Sequence, residues 1–156
     1  DELTSVKNVA AYDKKVYDLN QKISAGQAAF AVVMVDLNQL KEVNDRFGHE
    51  KGNIALQTLC RAVCRLYKHS PVYRIGGDEF VVILEGEDYD NRDALFPKVQ
   101  AFERIRDLKA AQPWTQLAAS VGMAVYDQTC DAAYQAVFNR ADTKMYEQKK
   151  HLAPRS

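Results

Sequence analysis

The first half of the chain shows two different hydrophobic patterns in succession. After Asn8, a residue type that commonly caps helices, apolar residues recur every three or four positions until Gly26, which predicts an amphipathic first helix. Residues 28–35 are then all apolar. An unbroken apolar run of this length favours a central strand buried on both faces, and we expect it to end at Asp36.

Two helices are predicted between this strand and the next β-rich segment. Residues 38–47 have the pattern of a short helix closed by Gly48. Apolar positions at helical spacing from Ile54 to Tyr67 mark a longer helix. The first strand is therefore followed by two consecutive helices.

The middle of the chain has the pattern of a β-hairpin. Residues 72–75 and 80–84 are short β-rich runs, and Gly-Gly-Asp-Glu joins them. The two glycines permit the positive φ values of a tight turn. Asp78 and Glu79 are therefore expected in the turn of the hairpin.

The last part of the chain predicts one more strand between two helices. Polar residues 85–93 indicate a loop, and the apolar spacing from Val99 to Leu108 predicts a helix. Residues 116–126 predict the fourth strand, and Asp131 is suited to cap a final helix that ends near Lys150.

The order of predicted elements is a helix followed by β-α-α-β-β-α-β-α. A central hairpin and the lack of a GxGxxG sequence argue against a Rossmann-like sheet. We expect the fold class to be α/β, as an α+β sandwich with a mostly antiparallel central sheet flanked by helices. Residues 1–152 are expected to form a single domain, and residues 153–156 a tail.

Composition limits the kinds of partner. The chain has 156 residues, 47% of them hydrophobic, which suits one domain with its own core. Its 21 basic residues balance its 21 acidic residues, so no long-range attraction to nucleic acid or membrane is expected. No apolar run is long enough to predict a membrane segment or a signal peptide. The expected partner is a small molecule or a protein.

The three cysteines predict a reducing environment. Cys60 and Cys64 lie four residues apart in an apolar helical pattern, without the spacing of a metal site. We interpret all three cysteines as reduced core thiols and expect a cytoplasmic protein.

Three acidic residues are the candidates for chemistry. If the hairpin lies beside the first strand, Asp36, Asp78 and Glu79 converge at one edge of the sheet. Crowded carboxylates repel one another unless a cation lies between them, and oxygen ligands select Mg²⁺ or Mn²⁺. Phosphoryl or nucleotidyl transfer is the matching reaction. For each acid taken singly, solvation of a turn or capping of a helix is an equally ordinary role.

Five motifs together resemble one family. Arg74-Ile-Gly-Gly-Asp-Glu-Phe80 matches the RxGGDEF signature of the GGDEF domain of diguanylate cyclases. The chain also resembles that family at its DxLTGLxN, DxDxFKxxND with GHxxGD, SxGxA and ADxxMYxAK motifs, at residues 1–8, 36–53, 120–124 and 141–149. The matches occur in the family's order and cover almost the whole chain.

The resemblance implies a palm-like nucleotidyl cyclase fold and a magnesium- or manganese-dependent enzyme that condenses GTP into cyclic di-GMP. Asp36, Asp78 and the carbonyl of Leu37 would hold two metal ions, and Glu79 is also needed in the family. Asp78 and Glu79 are the implied catalytic residues. Asn44 would contact guanine, and lysines would contact phosphate. The implied substrate-binding residues are Asn44, Asn53, Lys41, Lys149, Gly76 and Gly77.

Family members work as homodimers, because the product needs two reciprocal attacks and each domain holds one GTP. We therefore expect a homodimer, with any sensor or receiver domain outside this chain. From the residues alone, Asn44 could simply end a helix, and Lys149 could simply interact with a helix dipole.

The chain departs from the family pattern in several places. Asn38 replaces the second Asp of DxD, Asn53 replaces the Asp of GHxxGD, and residues 152–154 replace Gly-Arg-Asn. Two alternatives to an ordinary cyclase follow. One is a catalytically weak or silent domain that signals by binding nucleotide or protein, and the other is a cyclic dinucleotide synthase with relaxed base specificity.

Overall fold

A four-stranded antiparallel sheet forms the centre of the fold. The computed structural model describes residues 6–38, 40–101 and 119–152. In the sheet the order is β2-β3-β1-β4, and every pair of neighbouring strands is antiparallel. The strands are β1 (Ala31–Leu37), β2 (Val72–Arg74), β3 (Glu79–Leu84) and β4 (Ala119–Val125).

Helices flank this sheet on both faces. They are α1 (Val9–Ser24), α2 (Leu40–Phe47), α3 (His49–Leu66), α4 (Gly86–Asp90), α5 (Arg92–Gln100) and α6 (Tyr134–Leu152). The predicted α+β class with an antiparallel sheet and flanking helices is confirmed. None of the helices in the described ranges combines the length and the apolar character needed to cross a bilayer.

The apolar run that predicted the first strand forms β1 in the middle of the sheet. All seven of its residues are buried. Val33 and Val35 belong to one hydrophobic cluster, with residues of α3 such as Leu59. Val32 and Met34 belong to a second cluster, with residues of α1 and α6. Burial on both faces explains why this strand shows no polar alternation.

The first helix begins and ends as predicted. Asn8 caps α1, because its Oδ1 atom accepts a hydrogen bond of 3.0 Å from the backbone N–H of Ala11. Gly26, just beyond the helix, has a φ of +70°, which a residue without a side chain adopts readily.

The loop predicted over residues 85–93 is wrong. These residues contain α4 and the start of α5. The carboxylate of Asp88 is buried and accepts hydrogen bonds from the Ser70 hydroxyl at 2.6 Å and from the His69 N–H at 3.0 Å. This tertiary contact stabilises a helical turn whose acidic sequence carries no apolar periodicity.

Asp131 does not cap the last helix. That helix begins at Tyr134, whose backbone N–H donates to Oδ1 of Asn20, at 2.8 Å. Asp131 is buried and accepts hydrogen bonds from the guanidinium group of Arg140. The partly exposed guanidinium group of Arg140 therefore binds the buried carboxylate that the local sequence had assigned to a helix cap.

Strand β4 is described from Ala119 to Val125. Residues 102–118 lie outside the described residues, and they include the first residues predicted for this strand and the rest of the helix predicted to Leu108. The expectation that all three cysteines belong to the core is wrong for Cys130, which is exposed, whereas Cys60 is buried and Cys64 is partly buried.

Helix α6 lies directly on the backbone of β4. A Cβ atom on Gly122 would lie only 2.4 Å from the carbonyl oxygen of Ala141 and 2.5 Å from the nitrogen of Met145. The side chain of Gln148 reaches the same strand, where its Oε1 atom accepts a hydrogen bond of 2.7 Å from Val121 N–H. These contacts fix the distance of α6 from the sheet.

We expect Gly122→Ala to destabilise the domain by about 1–3 kcal/mol, because the new methyl group would force the α6 backbone away from β4. Thermal or urea unfolding measures this change. Gly77→Ala is the matched control, since a Cβ atom there meets nothing within 4 Å. Equal stability of the two variants would contradict the close contact.

Candidate metal and nucleotide site

Three carboxylates meet at one end of the central strand. Asp36 lies opposite Glu79 on β3 and opposite Ser120 on β4. The carbonyl oxygen of Asp78 accepts a hydrogen bond of 3.0 Å from the N–H of Leu37, which holds the hairpin turn against β1. Carboxylate oxygens of Asp36, Asp78 and Glu79 lie within 4.8 Å of one another.

This arrangement disfavours negative charge. The side chain of Asp36 is only 4% exposed. Burial raises the pKa of Asp36 to about 6 against an opposing hydrogen bond from Lys149, and the charge of Asp78 adds to the rise. Burial and the charge of Asp78 also raise the pKa of Glu79. The ionised cluster therefore has a high energy unless a cation binds it.

The hydrogen bonding of Asp36 is incomplete. Its Oδ2 atom accepts a hydrogen bond of 2.8 Å from the Lys149 ammonium group. Its Oδ1 atom is buried and has no hydrogen-bond partner among the residues that the structure describes. A buried, unsatisfied carboxylate oxygen beside two further carboxylates is the donor set that Mg²⁺ and Mn²⁺ prefer. The residues present therefore fit a divalent metal ion.

Arg74 holds the turn that carries Asp78, whereas Glu79, also expected in the turn, is the first residue of β3. Its Nε atom donates to the carbonyl oxygen of Gly76 at 3.2 Å, and its Nη2 atom donates to that of Gly77 at 2.8 Å. Positive φ occurs at Gly26, Gly48 and Gly86 among the described glycines, so the turn does not use the positive φ that Gly76 and Gly77 permit. The arginine, together with the Asp78–Leu37 hydrogen bond, fixes the turn instead.

Three of the six residues implied to bind nucleotide lie on the α2–α3 pair, which follows β1. A Cβ atom on Gly52 would lie 1.8 Å from Oδ1 of Asn44, so this glycine makes room for the asparagine amide. Asn53 is the next residue of α3 and is exposed, as is Lys41 on α2. Lys149, by contrast, reaches the acidic cluster from α6.

Sequence reasoning missed one buried polar pair beside the cluster. Oδ1 of Asn38 accepts a hydrogen bond of 3.0 Å from the Ser120 hydroxyl, and both side chains are buried. The Nδ2 atom of Asn38 is buried and finds no partner within the described part of the chain. One hint of this pair lies in the sequence, because Asn38 and Ser120 each belong to a family motif. Only the pairing of β1 with β4 shows that the two motifs are adjacent.

The family comparison agrees with this geometry. The chain matches the model of the family described as "Diguanylate cyclase, GGDEF domain" over residues 1–154. The chain belongs to the GGDEF domain family.

Curated relatives of this GGDEF domain are named as diguanylate cyclases. The diguanylate cyclase TpbB of Pseudomonas aeruginosa strain UCBPP-PA14 is 31% identical over 156 residues, covering 96% of this chain and 35% of that protein. The bifunctional diguanylate cyclase/cyclic di-GMP phosphodiesterase MucR of P. aeruginosa is 28% identical over 151 residues, covering 96% and 22%. The chain spans 14% to 44% of the length of the curated relatives it matches.

Solved GGDEF structures share the fold. The GGDEF domain of TpbB (YfiN) from P. aeruginosa superposes with a TM-score of 0.77 at 25% identity, covering 97% of this chain and 88% of that one. Diguanylate cyclase SiaD from the same species, solved with its activator SiaC, gives a TM-score of 0.78 at 23% identity, covering 97% and 58%.

We expect Arg74→Met to loosen the hairpin turn, because two hydrogen bonds to its carbonyl groups are lost. The amide of Leu37, which donates to Asp78, should exchange with solvent roughly tenfold faster. Hydrogen exchange followed by NMR measures this rate. Arg92→Met is the control, since that arginine binds the Tyr89 carbonyl elsewhere. An unchanged Leu37 rate would show that Arg74 does not hold the turn.

Proposed function

We propose that this GGDEF domain is a diguanylate cyclase that condenses two molecules of GTP into cyclic di-GMP and releases two pyrophosphates. The observation that carries the proposal is the cluster of Asp36, Asp78 and Glu79 carboxylates, in which one buried oxygen of Asp36 has no partner in the described ranges. The names of the curated relatives support the same reaction.

Metal binding is assigned to the residues at the end of β1. Asp36, Asp78 and the Leu37 carbonyl group would hold Mg²⁺ or Mn²⁺, with Glu79 beside them. Such ions, when bound, offset the charge of a triphosphate and of a leaving pyrophosphate. The buried position of Asp36 in the sheet supplies a fixed ligand, so little reorganisation is needed when the site fills.

The remaining residues of the site would orient GTP. Asn44 is half-buried against Gly52, and this fixed amide is suited to hydrogen bonding with the guanine edge. Lys41 and Lys149 would contact phosphate oxygens. The backbone at Gly76 and Gly77, which are exposed and carry no side chain, permits close approach of the substrate to the turn.

The reaction needs two copies of the domain. In each half-reaction the 3′-hydroxyl oxygen of one GTP bonds to the α-phosphorus of the other. The bond between the α-phosphorus and its bridging oxygen breaks, pyrophosphate leaves with the electron pair, and the hydroxyl proton is lost. Since one domain would hold one GTP, two reciprocal attacks require a homodimer. Control of this pairing is assigned to sensor or receiver segments outside the chain.

Removal of a metal ligand tests the proposal directly. Purified protein with GTP and Mg²⁺ should yield cyclic di-GMP, identified by mass spectrometry. Asp36→Asn and Asp78→Asn should each lower turnover at least about a hundredfold, because each removes a carboxylate from the metal site. Circular dichroism should show a folded domain.

Asp90→Asn is the matched control, since Asp90 is exposed on α4 and lies outside the cluster. Its turnover should stay within about twofold of the wild type. Normal turnover of either cluster variant would refute the metal assignment. Absence of product from the wild type under all conditions would instead favour the silent signalling domain.

Asn53 favours a second candidate function, a cyclic dinucleotide synthase with relaxed base specificity. Asn53 stands where the family has an Asp, whose two oxygens accept hydrogen bonds from guanine N1–H and N2–H₂. An amide offers one acceptor and one donor group, which complements adenine at least as well. We still assign GTP as the main substrate because Asn44 is retained.

In competition between GTP and ATP, Asn53→Asp should raise the preference for GTP about tenfold to a hundredfold. The wild type should form some cyclic GMP-AMP from the mixed nucleotides, as measured by product mass. Asn139→Asp controls for added charge, because Asn139 is an exposed asparagine on α6. Equal and strict guanine selectivity in wild type and Asn53→Asp would exclude relaxed specificity.

A further inference from the structure

The ammonium group of Lys149 contacts Asp36, a proposed metal ligand. It donates a hydrogen bond of 2.8 Å to Oδ2 of Asp36. The two side chains differ in exposure, at 4% for Asp36 and 45% for Lys149. One partner of this ion pair is therefore buried, and the other is accessible to solvent.

We propose that Lys149 acts as an internal counter-ion, which competes with a divalent metal ion for Asp36 until a triphosphate offers the lysine another partner. The inference deepens the proposed function and rests on its assignment of Asp36 as a metal ligand. Lys149 would contact the Asp36 carboxylate first and a phosphate group of the nucleotide afterwards.

The structure indicates which partner moves. Asp36 is fixed, since its backbone pairs with both β3 and β4. Helix α6 is also fixed, because Gln148 binds β4 and Gly122 allows the helix to approach closely. The flexible part is the long, half-exposed Lys149 side chain, which can leave Asp36 without unpacking either element.

Charge explains why the lysine gives way. One ammonium group faces three carboxylates, and it leaves Oδ1 of Asp36 without a partner. A divalent ion carries twice the charge of the ammonium group and can coordinate several carboxylate oxygens at once. An ammonium and a metal ion on the same carboxylate repel each other, so metal binding displaces Lys149 from the pair.

Nucleotide and metal should therefore assist each other. A metal ion that binds alone must break the Lys149–Asp36 contact without a replacement for the lysine. A triphosphate supplies that replacement, because its oxygens accept hydrogen bonds from the ammonium group. By linkage, each ligand strengthens the other. A lysine that contacts phosphate only would give no such competition in the absence of nucleotide.

The first test is a titration with Mn²⁺ alone, in which free Mn²⁺ is measured by electron paramagnetic resonance. Lys149→Met should bind Mn²⁺ on the order of tenfold more tightly than the wild type, because the competing contact is gone. Lys150→Met removes the same charge one residue further along α6, where the ammonium lies over the Tyr146 ring. This control should change the affinity by less than about twofold.

The second test is GTP binding in EDTA, measured by calorimetry. Lys149→Met should weaken binding several-fold, and Lys150→Met should have a smaller effect. Lys149→Met should thus bind Mn²⁺ more tightly and GTP more weakly. The control Lys150→Met, which removes the same charge, should show much smaller changes, and this difference distinguishes a contact that Lys149 exchanges from a general effect of the lost charge. Lys149→Gln serves as a second variant if the methionine variant does not fold.

Four results of the Mn²⁺ titration would overturn the inference. They are equal Mn²⁺ affinities in wild type and Lys149→Met, equal tightening in both lysine variants, tightening that persists when Asp36→Asn is added, and lack of measurable Mn²⁺ binding by Lys149→Met. Neither titration measures product, so a domain without cyclase activity could still pass both.

Discussion

The structure depends on one buried charge at the end of an apolar strand. β1 lies between two other strands and is covered on both faces, so its backbone and side chains have almost no freedom. Asp36 takes its place in that strand and is desolvated with it. The sheet thus holds a carboxylate where water cannot stabilise it, and the free energy of folding the rest of the strand offsets the cost.

Two neighbouring elements complete the acidic site. The β2–β3 hairpin brings Asp78 in its turn and Glu79 at the start of β3, and Arg74 holds the turn. Helix α6 approaches β4 closely at Gly122, and this approach delivers Lys149 to the cluster from the other side. The site therefore combines a rigid acidic end of the sheet with one flexible basic side chain.

Unsatisfied polar atoms concentrate at this place. Of the buried side-chain atoms without a partner in the described residues, Oδ1 of Asp36 and Nδ2 of Asn38 lie two positions apart in the chain, and the third is the hydroxyl oxygen of Tyr67 in the core. Packing and hydrogen bonding agree with local sequence preference in most of the fold. At the end of β1, burial and hydrogen bonding disagree, because polar atoms are buried without partners. This is typical of a binding site, where a ligand supplies the missing partner.

Sequence by itself determined the strands, most helices and the identities of the three acids, because hydrophobic periodicity and family motifs are local properties of the chain. It did not determine the helix at residues 86–90 or the partner of Asp131, since side-chain contacts between different elements, across 18 or 19 positions for Asp88 and 9 positions for Asp131, decide both. The Lys149–Asp36 contact also belongs to the tertiary structure alone. The two residues are 113 positions apart, and only the packing of α6 on the sheet makes the basic end of a helix the counter-ion of the central strand.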